Sequence, residues 1–421
     1  MSLDAERLRL ALGADAVSDA AGEIDGVKHA LTLDPASGEA LADTLRLLSE
    51  AGAAAIVSGA GTRLGVGNPP HRADALLSTR RLDGIAELDA DEGVARVAAG
   101  TPLEVLRKAA QEAGWELPLE SPDDAATVGG TLASAAVGPR LQCFGPPRDH
   151  VLGLRVALAS GERARCGGRV VKNVTGYDLI KLHAGAFGTL GVLEEAWLRL
   201  RPRPEERRVL LAWLPEGKAG LERAAAVAGQ PAARAAVVVD PALARQVDDA
   251  GPRHGRALLV VELGGAPELV RDGGASLADL EPVEADAELL DRIATLQRQP
   301  DGHSGLRFRV VVRPARIGAA AEQLARAGAS LLVWPGAGFL YAGFPLYEGA
   351  DELAVDGAWR AARRAAREGA GGFVLEAAPP WAKAARDVFG DPPEALPLMR
   401  TLKQRFDPAG VLNPGRFVGR I

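Results

Sequence analysis

Short apolar runs alternate with amphipathic stretches along the chain, and this alternation predicts strands and helices in turn. The clearest unit covers residues 29–57. There "HALTL" predicts a strand, "SGEALADTLRLLSEAG" a helix with apolar positions three and four apart, and "AAAIVS" a second strand. The stretch "GIAELDADEGVARVAAG" predicts further strands. The first part of the chain is therefore expected to form an α+β domain.

A helix is indicated next by "TPLEVLRKAAQEAG". Thr101 and Glu104 match a capping box, Pro102 stands at the expected first helical position, and Gly114 predicts the helix end. Over residues 121–153 the periodicity fades and glycine, alanine and proline dominate. That change predicts loops and short helices that line a site.

Strands resume at "VLGLRVAL" and "GVLEEAWLRLRP", and Pro202 and Pro204 predict a domain boundary near residue 204. Beyond it, strands such as "RRVLLAWL", "RFRVVV" and "FLYAGFP" alternate with helices such as "GAAAEQLARAG". This alternation is typical of an α/β or α+β cap domain. The tail "LMRTLKQRFDPAGVLNPGRF" begins as an amphipathic helix, and we expect it to dock on another part of the chain.

The amino-acid composition argues against several classes of function. The 421 residues include 49 Lys and Arg against 55 Asp and Glu, a mildly acidic balance that argues against nucleic-acid binding. Two cysteines, Cys143 and Cys166, cannot alone supply a disulfide framework, an iron–sulfur cluster or a zinc site. The first residues lack the signal-peptide pattern, and no apolar run approaches the roughly 20 residues that span a bilayer. We expect a cytoplasmic protein, with no transmembrane segment, that binds a small molecule or another protein.

The stretch "AAAIVSGAGTRLGVGNPP", residues 53–70, runs from a strand into a glycine-rich loop. Gly59 and Gly61 stand where a dinucleotide-binding turn would place them, but the glycines and prolines that follow prevent a helix from starting there. A Rossmann site is therefore not expected. Successive amides in a tight glycine turn can still form an anion-binding nest, and a plain turn between strands is the alternative for this stretch alone.

Two further glycine-rich stretches favour a binding loop over a plain turn. "TVGGTLASAAVGPRLQCFG" spans residues 127–145 and "VKNVTGYDLIKLHAGAFGTLGVL" spans residues 171–193. Each could merely allow tight packing or mark a helix end. Three such stretches within one domain favour loops that converge on a large flat ligand.

The ordered motifs "VSGAGTRL", "ESPDDAATVGGTLASAAVGPR", "FGPPRDHVLGLRVAL", "GAFGTLGVLEE" and "FDPAGVLNPGRF" resemble the FAD-binding domain of the vanillyl-alcohol-oxidase and para-cresol-methylhydroxylase (PCMH) type. Within that family, "GGRVVKNVTGYDLIKLHAGAFGTLG" is similar to the E subunits of bacterial glycolate oxidases, which accompany an FAD-linked D subunit and an iron–sulfur F subunit. The resemblance implies an α+β fold: a two-subdomain PCMH-type FAD-binding domain, an α/β cap domain, and a tail that returns to the FAD domain. The implied ranges are a helical extension over 1–24, the FAD-binding domain over 25–203, the cap over 204–397 and the docking segment over 398–421.

The resemblance also implies site residues. The pyrophosphate loop would be Ser58, Gly59, Ala60, Gly61 and Thr62; the flavin and ribityl wall would be Pro122, Thr127, Gly129, Gly130, Ala133 and Gly138; Asp149, Gly191 and Val192 would contact the adenosine or flavin; and Asn413, Pro414 and Gly415 would fold back toward the flavin domain. Relatives with covalent FAD carry a histidine in the first loop or a cysteine in the second, where this chain has "SGAGT" and "SPDDAATVGG". Noncovalent FAD is therefore expected.

Oxidation of a 2-hydroxy acid needs a hydride acceptor, a base for the hydroxyl proton, and a cation or metal for the carboxylate. The catalytic candidates are Lys172 and Tyr177, and neighbouring polar candidates are Asn173 and Asp178; carboxylate partners are sought among Arg140, Arg148 and Arg416. Each has an ordinary alternative, because surface arginines are usually solvated and "TGYD" can form a turn with Asp178 capping a helix.

Catalytic glycolate and D-lactate relatives carry a metal-binding cluster of histidines with a glutamate in the cap, and this chain departs from that pattern. Its six histidines are scattered, and His150 and His183 are interpreted as structural. Three hypotheses follow: an FAD subunit working with a second FAD subunit and an iron–sulfur subunit, a self-sufficient 2-hydroxy-acid dehydrogenase, and a scaffold that has lost its cofactor. The intact glycine loops disfavour the scaffold, and two cysteines mean that electrons must leave to a separate iron–sulfur partner or a quinone.

Overall fold

A computed structural model describes residues 5–123, 125–169, 177–247, 256–297, 305–347 and 349–421. The chain divides into two compact units. The first comprises Met1–Val137, Pro146–Arg203 and Pro392–Ile421, and the second comprises Gly138–Gly145 and Pro204–Asp391.

Strands and helices occur along the whole chain, which makes it a mixed α+β protein. The strands are β1 Val17–Ser18, β2 Gly22–Ile24, β3 Val27–His29, β4 Leu31–Leu33, β5 Ala55–Ser58, β6 Ala75–Ser78, β7 Ile85–Asp89, β8 Val94–Ala98, β9 Trp115–Glu116, β10 Val151–Ala157, β11 Arg163–Gly167, β12 Val192–Arg199, β13 Arg201–Pro202, β14 Glu206–Trp213, β15 Ala233–Val239, β16 Leu258–Gly265, β17 Val283–Ala285, β18 Gly305–Val311, β19 Ser330–Trp334, β20 Phe339–Pro345 and β21 Gly372–Ala377. The α-helices are α1 Ala5–Leu12, α2 Gly38–Ala51, α3 Leu103–Glu112, α4 Val128–Ser134, α5 Leu141–Phe144, α6 Ile180–His183, α7 Gly217–Ala228, α8 Pro241–Ala244, α9 Pro267–Ala275, α10 Leu289–Leu296, α11 Ile317–Arg326, α12 Glu352–Glu368, α13 Pro380–Ala384 and α14 Leu396–Phe406.

The first unit contains a four-stranded sheet in the order β1-β4-β6-β5, in which β4 and β5 both run parallel to β6. Helix α2 packs on this sheet through buried residues that include Leu41 and Leu45. Ser37 caps the helix by accepting a hydrogen bond from a main-chain amide in its first turn. The strand, helix and strand predicted over residues 29–57 are confirmed, and β5 ends at Ser58, directly before the glycine loop.

A second sheet of the first unit lies beside parts of the other two glycine-rich stretches, namely α4 and the start of β12. Its strands are antiparallel and lie in the order β11-β10-β12-β8-β7. Helices α3 and α4 pack on its apolar face, where Leu106 and Leu132 join Leu154 and Leu198 in one buried core. This packing fixes α4 close to the start of β12, so that the second and third glycine-rich stretches approach each other.

The capping box predicted at the start of α3 is wrong. The Thr101 hydroxyl accepts a hydrogen bond from the Gly84 amide (2.9 Å) and donates one to the Gly84 carbonyl (3.2 Å), so it is committed to a neighbouring loop. In the described residues no side chain caps α3, which begins at Leu103, after the proline. Gly114 does follow the helix end, with a φ of +83° that favours glycine.

The helical extension predicted over residues 1–24 is wrong beyond α1. Val17 and Ser18 form β1, which pairs antiparallel with β4, Val17 opposite Leu33. The side chains of Val17 and Leu33 are buried in the same core as α2, and β1 forms an edge strand of the first sheet.

The end of the chain pairs with β5. The Ala55 amide donates a hydrogen bond to the Val411 carbonyl (2.7 Å), and the Asn413 amide donates one to the Ala55 carbonyl (3.0 Å). The segment after α14 therefore lies beside the strand that leads into the glycine loop.

The second unit is built on an eight-stranded sheet in the order β17-β14-β16-β15-β19-β20-β18-β21. Every described pairing in it is antiparallel, which decides between the two predicted cap architectures in favour of α+β. One sheet face forms an apolar core with the helices, and Val261, Phe308 and Leu340 lie at its centre. The quoted strands of the cap form as predicted, but the alanine-rich β15 did not stand out as a strand, because "ARAAVVV" has the composition of a helix at one end.

The opposite face of that sheet buries a carboxylate among arginines. Glu262 is fully buried on β16, with Arg140 Nη2 at 2.7 Å, Arg234 Nε at 2.8 Å and Arg207 Nε at 2.9 Å from its oxygens. Burial alone would raise the pKa of Glu262, but the guanidinium groups, Arg140 foremost, hold that pKa below its ordinary value of 4.5. Arg140 is therefore a partner of Glu262 within the second unit.

We predict that Glu262→Gln lowers the free energy of unfolding by about 3–5 kcal/mol, because a neutral amide leaves buried guanidinium groups without their counter-charge. The folded-state pKa lies below the unfolded one, so the carboxylate stabilises the fold above pH 4.5, and this stabilisation is lost as the pH falls through the folded-state pKa. Urea denaturation across that acidic window should show a flatter pH profile for the variant.

The matched control is Glu284→Gln on β17, an exposed carboxylate paired with Arg208 at 2.9 Å. It should change the free energy of unfolding by about 0.5 kcal/mol or less. Equal losses for the two variants would contradict the importance of the buried cluster.

Candidate functional site

A cleft in the first unit has two adjoining lobes. The loop lobe, with a cavity volume of about 90 Å³, is lined by Ile56, Val57, Ser58, Gly59, Ala60, Gly61, Thr62, Arg63, Leu64, Val66, Ala126, Thr127, Gly130, Thr131, Ala133, Ser134, Phe187, Asn413 and Arg416. The strand lobe, with a cavity volume of about 60 Å³, is lined by Val57, Gly59, Thr79, Gly129, Gly130, Ala133, His183, Phe187, Gly188, Gly191, Val192, Leu193 and Asn413. The shared residues come from all three glycine-rich stretches and the tail, so these segments do converge.

The glycine loop offers main-chain donors to the loop lobe. Among the described residues, none accepts a hydrogen bond from the amides of residues 59–62. Gly61 has a φ of +82°, which allows the tight turn that groups these amides. Successive unpaired amides at a cleft form a nest that suits an anion such as a phosphate.

The loop also lies against α4 at its closest point. A Cβ at Gly59 would overlap the Thr127 hydroxyl, so only glycine allows this approach. The first three amides of α4 are already used, by the Thr101 carbonyl (2.9 Å), the Ala99 carbonyl (2.7 Å) and the Thr127 hydroxyl (3.1 Å). The anion site therefore belongs to the loop amides, as expected for a fold without a Rossmann turn.

Asn413 joins three walls of the cleft. Its Oδ1 accepts a hydrogen bond from the Val57 amide (2.7 Å), and its Nδ2 donates one to the Phe187 carbonyl. Its φ of +47° is one that asparagine tolerates better than most residues. The residue therefore fixes the first glycine loop, the third glycine-rich stretch and the tail to one another.

Arg416 was predicted as a carboxylate partner, and the structure gives it a different role. Its guanidinium is buried; Nη1 donates to Asp25 (3.0 Å) and the Asn68 carbonyl (2.8 Å), and Nη2 donates to the carbonyls of Leu64 and Val66. Burial lowers the pKa of Arg416, and Asp25 opposes that shift. This arginine holds the carbonyls that follow the nest.

Two buried polar side chains at the cleft have an unused polar atom. Thr131 lines the loop lobe and is 1% exposed, and its Oγ1 has no hydrogen-bond partner among the described residues. His183 lines the strand lobe and is 5% exposed, and its Nδ1 likewise has no hydrogen-bond partner among the described residues. Buried polar groups are nearly always bonded, so these atoms fit a site that receives a ligand with polar edges. Neither residue was singled out for binding from the sequence, although Thr131 follows Thr127 by one helical turn.

The predicted binding residues divide between the cleft and other places. The cleft is lined by Ser58, Gly59, Ala60, Gly61, Thr62, Thr127, Gly129, Gly130, Ala133, Gly191, Val192 and Asn413. Pro122 is buried but does not line it, and Gly138 belongs to the second unit. Asp149 is half exposed on a short 3₁₀ helix, with Arg148 at 3.8 Å.

Tyr177, one of the two predicted catalytic residues, does not line the cleft. Tyr177 is 93% exposed, and Asp178 forms an ion pair with Lys181 (3.0 Å) at the start of α6. The structure thus places the Tyr177 ring in solvent. Lys172 and Asn173 lie outside the described residues.

The described part of the chain has neither a cluster of metal-binding side chains nor a membrane-spanning helix. It contains no group of three or more histidine, cysteine, aspartate or glutamate side chains placed to hold a metal ion. Its helices include none with the length and hydropathy of a membrane span.

Two family models match the chain. An FAD binding domain covers residues 30–167, and the C-terminal domain of FAD linked oxidases covers residues 391–417. The first range contains the glycine loop and α4, and the second contains Asn413 and Arg416. Both matched ranges therefore contribute walls of the cleft.

Several characterised proteins are similar in sequence. The D-lactate dehydrogenase of Archaeoglobus fulgidus is 29% identical over 412 residues, which cover 93% of this chain and 92% of that protein. Glycolate oxidase subunit GlcE of Escherichia coli is 39% identical over 151 residues, 35% of this chain and 43% of that subunit. The D-2-hydroxyglutarate dehydrogenase of Xanthomonas citri pv. viticola is 35% identical over 182 residues, 43% of this chain and 39% of that enzyme. The last two matches span less than half of those relatives.

Solved structures agree in fold. p-Cresol methylhydroxylase with substrate bound has a TM-score of 0.75 at 16% identity, with 98% of this chain and 95% of that chain covered. The 4-ethylphenol oxidase from Gulosibacter chungangensis has a TM-score of 0.73, also at 16% identity, with the same coverage. The amide nest and the unused polar atoms fit FAD, which is the cofactor. The chain therefore has the fold of these PCMH-type oxidases, and within it residues 30–167 match an FAD binding domain and residues 391–417 match the C-terminal domain of FAD linked oxidases.

Proposed function

We propose that this chain is the FAD-binding subunit of a glycolate or related 2-hydroxy-acid dehydrogenase complex. It is an FAD-linked oxidoreductase that acts on CH–OH groups, of the type represented by glycolate, D-lactate and 2-hydroxyglutarate dehydrogenases. The observation that carries the FAD chemistry is the set of unpaired amides at residues 59–62. The similarity to glycolate oxidase subunit GlcE supports the role of a subunit. We propose that its partners are a second FAD subunit and an iron–sulfur subunit.

Main-chain groups of the chain would hold the cofactor. The loop amides would bind the diphosphate, Asn413 would keep the walls in place, and Thr131 would bond to a polar group in the loop lobe. FAD would be held without a covalent bond, because the residues that line the cleft include neither a cysteine nor a histidine in the loop or on α4. Bound FAD supplies a two-electron acceptor for the hydride of a 2-hydroxy acid.

The substrate would need a base and a cation from this chain or a partner. Lys172 remains a proposed catalytic residue, whereas the exposure of Tyr177 argues against a direct role for its phenol. Arg140 and Arg416 are bonded to Glu262 and Asp25, and Arg148 is a surface arginine. We therefore expect a cation other than these three arginines to bind the substrate carboxylate. This expectation is consistent with substrate oxidation on a second subunit.

A self-sufficient 2-hydroxy-acid dehydrogenase is the second candidate. The match to the Archaeoglobus fulgidus D-lactate dehydrogenase, which runs over 412 residues and nearly the full length of both chains, favours it. The two candidates share the cofactor and differ in whether the isolated chain oxidises substrate.

For the cofactor site, we predict that Gly59→Ala raises the FAD dissociation constant at least about tenfold, or about 1.4 kcal/mol. The new Cβ would overlap the Thr127 hydroxyl and displace the nest from α4. Titration of apoprotein with FAD measures the effect. Gly65→Ala is the matched control in the same loop, since a Cβ there meets no atom within 4 Å. Equal affinity of the two variants would contradict the proposed nest.

For catalysis, we predict that the FAD-loaded isolated chain keeps its visible flavin absorbance when glycolate or D-lactate is added without oxygen. If the chain is a subunit of a complex, its partner subunits are needed for electrons to pass from the substrate to the flavin and from the flavin to an acceptor. Anaerobic absorbance spectroscopy follows the flavin, and dithionite reduction shows that the bound flavin is redox-active. Rapid bleaching by either acid would support the self-sufficient enzyme instead.

For assembly, we predict that the tagged chain, isolated gently from its own cells, brings down a second FAD-containing chain and a chain with an iron–sulfur cluster. With only two cysteines, this chain cannot supply the four thiolates of a cluster alone. Mass spectrometry identifies the chains, and absorbance of the purified complex reports the cluster. Recovery of the chain alone, active on substrate, would overturn the complex.

A further inference from the structure

His183 occupies an unusual position at the end of α6. Its ring lies in the strand lobe and packs edge-on against Phe406, with 5.9 Å between ring centroids. The side chain is buried, and no described residue accepts from or donates to its Nδ1. A phenylalanine or leucine would fill an apolar position here without leaving a polar atom unpaired. The Nδ1 atom therefore needs a hydrogen-bond partner that the described residues do not provide.

The other polar side chains of the strand lobe are satisfied. The Thr79 hydroxyl donates a hydrogen bond to the Ser58 carbonyl (3.2 Å), and both ends of the Asn413 amide are bonded. Among the described residues that line this lobe, His183 alone brings an unused side-chain polar atom.

Burial also fixes the charge of the ring. Desolvation lowers the pKa of His183 to about 4, so the imidazole is neutral at pH 7. A neutral imidazole has one N–H donor and one nitrogen acceptor. It suits an uncharged, flat partner that carries donors and acceptors along one edge.

We propose that His183 binds FAD directly, through a hydrogen bond from its ring to the edge of one of the two heteroaromatic rings of the cofactor. The inference rests on the proposed binding of FAD in this cleft. The diphosphate lies in the middle of FAD, so a nest in the loop lobe leaves an adenosine or a riboflavin end for the adjoining lobe. Gly191 makes room there: a Cβ at that position would stand 3.4 Å from the His183 ring and 2.5 Å from Val156.

The test compares His183→Phe with His183→Gln in apoprotein titrated with FAD, ADP and FMN. We expect His183→Phe to weaken FAD binding about tenfold, while His183→Gln, which keeps a donor and an acceptor, retains most of the affinity. Loss of ADP affinity alone places the bond on adenine, and loss of FMN affinity alone places it on the isoalloxazine. Either pattern supports the proposal.

Thermal unfolding of the apoproteins separates this role from a structural one. We expect apo His183→Phe to unfold at the same temperature as the parent or higher, because it removes an unpaired buried group, while FAD raises its unfolding temperature less. His29→Phe is the control: His29 is buried in the same unit but lies away from the cleft, with Nδ1 3.2 Å from the Leu31 carbonyl. It should leave FAD affinity unchanged.

Unchanged affinity of His183→Phe for all three ligands would overturn the proposal, as would a lower apo unfolding temperature with unchanged affinity. Should His183→Phe fail to fold, His183→Gln and His183→Leu carry the same comparison. A parent protein that does not bind FAD at all would instead contradict the proposed function, so the two failures are distinguishable.

Discussion

The cofactor site depends on a loop whose amides are unpaired while its backbone is held still. A loop with free donors would ordinarily be mobile, because nothing within it compensates for the missing bonds. Here the constraint comes from the other end of the chain: the buried guanidinium of Arg416 donates to three carbonyls just beyond the nest and to Asp25. The carbonyls are held, the amides stay available, and the anion site is organised before any ligand arrives.

The tail can do this because it is itself fixed. Lys403 on α14 donates to Asp407 (2.6 Å) and to the carbonyls of Thr189 and Leu412 (2.9 and 2.7 Å). Burial lowers the pKa of Lys403, and the Asp407 carboxylate opposes that shift. Asp407 in turn accepts hydrogen bonds from two amides of the turn that leads to Asn413. The third glycine-rich stretch and the tail are thus joined by a paired charge before either reaches the cleft.

Much of the fold could be predicted from the sequence because its elements have strong local patterns. The period of α2, the apolar strands of the cap and the glycine loops after β5 all follow from spacing and turn chemistry. Predictions failed where a side chain found a distant partner. Thr101 looked like a helix cap and bonds to Gly84 instead, and Arg416 looked like a ligand for substrate and holds carbonyls instead. Such choices depend on which groups the tertiary fold brings together, and local sequence does not specify them.

The same reasoning explains why the cleft residues split into two kinds. Contacts made by main-chain amides require small residues and a fixed backbone, so they leave a glycine pattern that can be recognised from sequence. Contacts made by side chains leave no such pattern: Thr131 and His183 stand out only once burial and missing partners are known. The nest can therefore be common to proteins that share the glycine loops. Cofactor affinity can still differ from one such protein to another, because a change at either of these two positions alters a polar contact without disturbing the loop that holds the diphosphate.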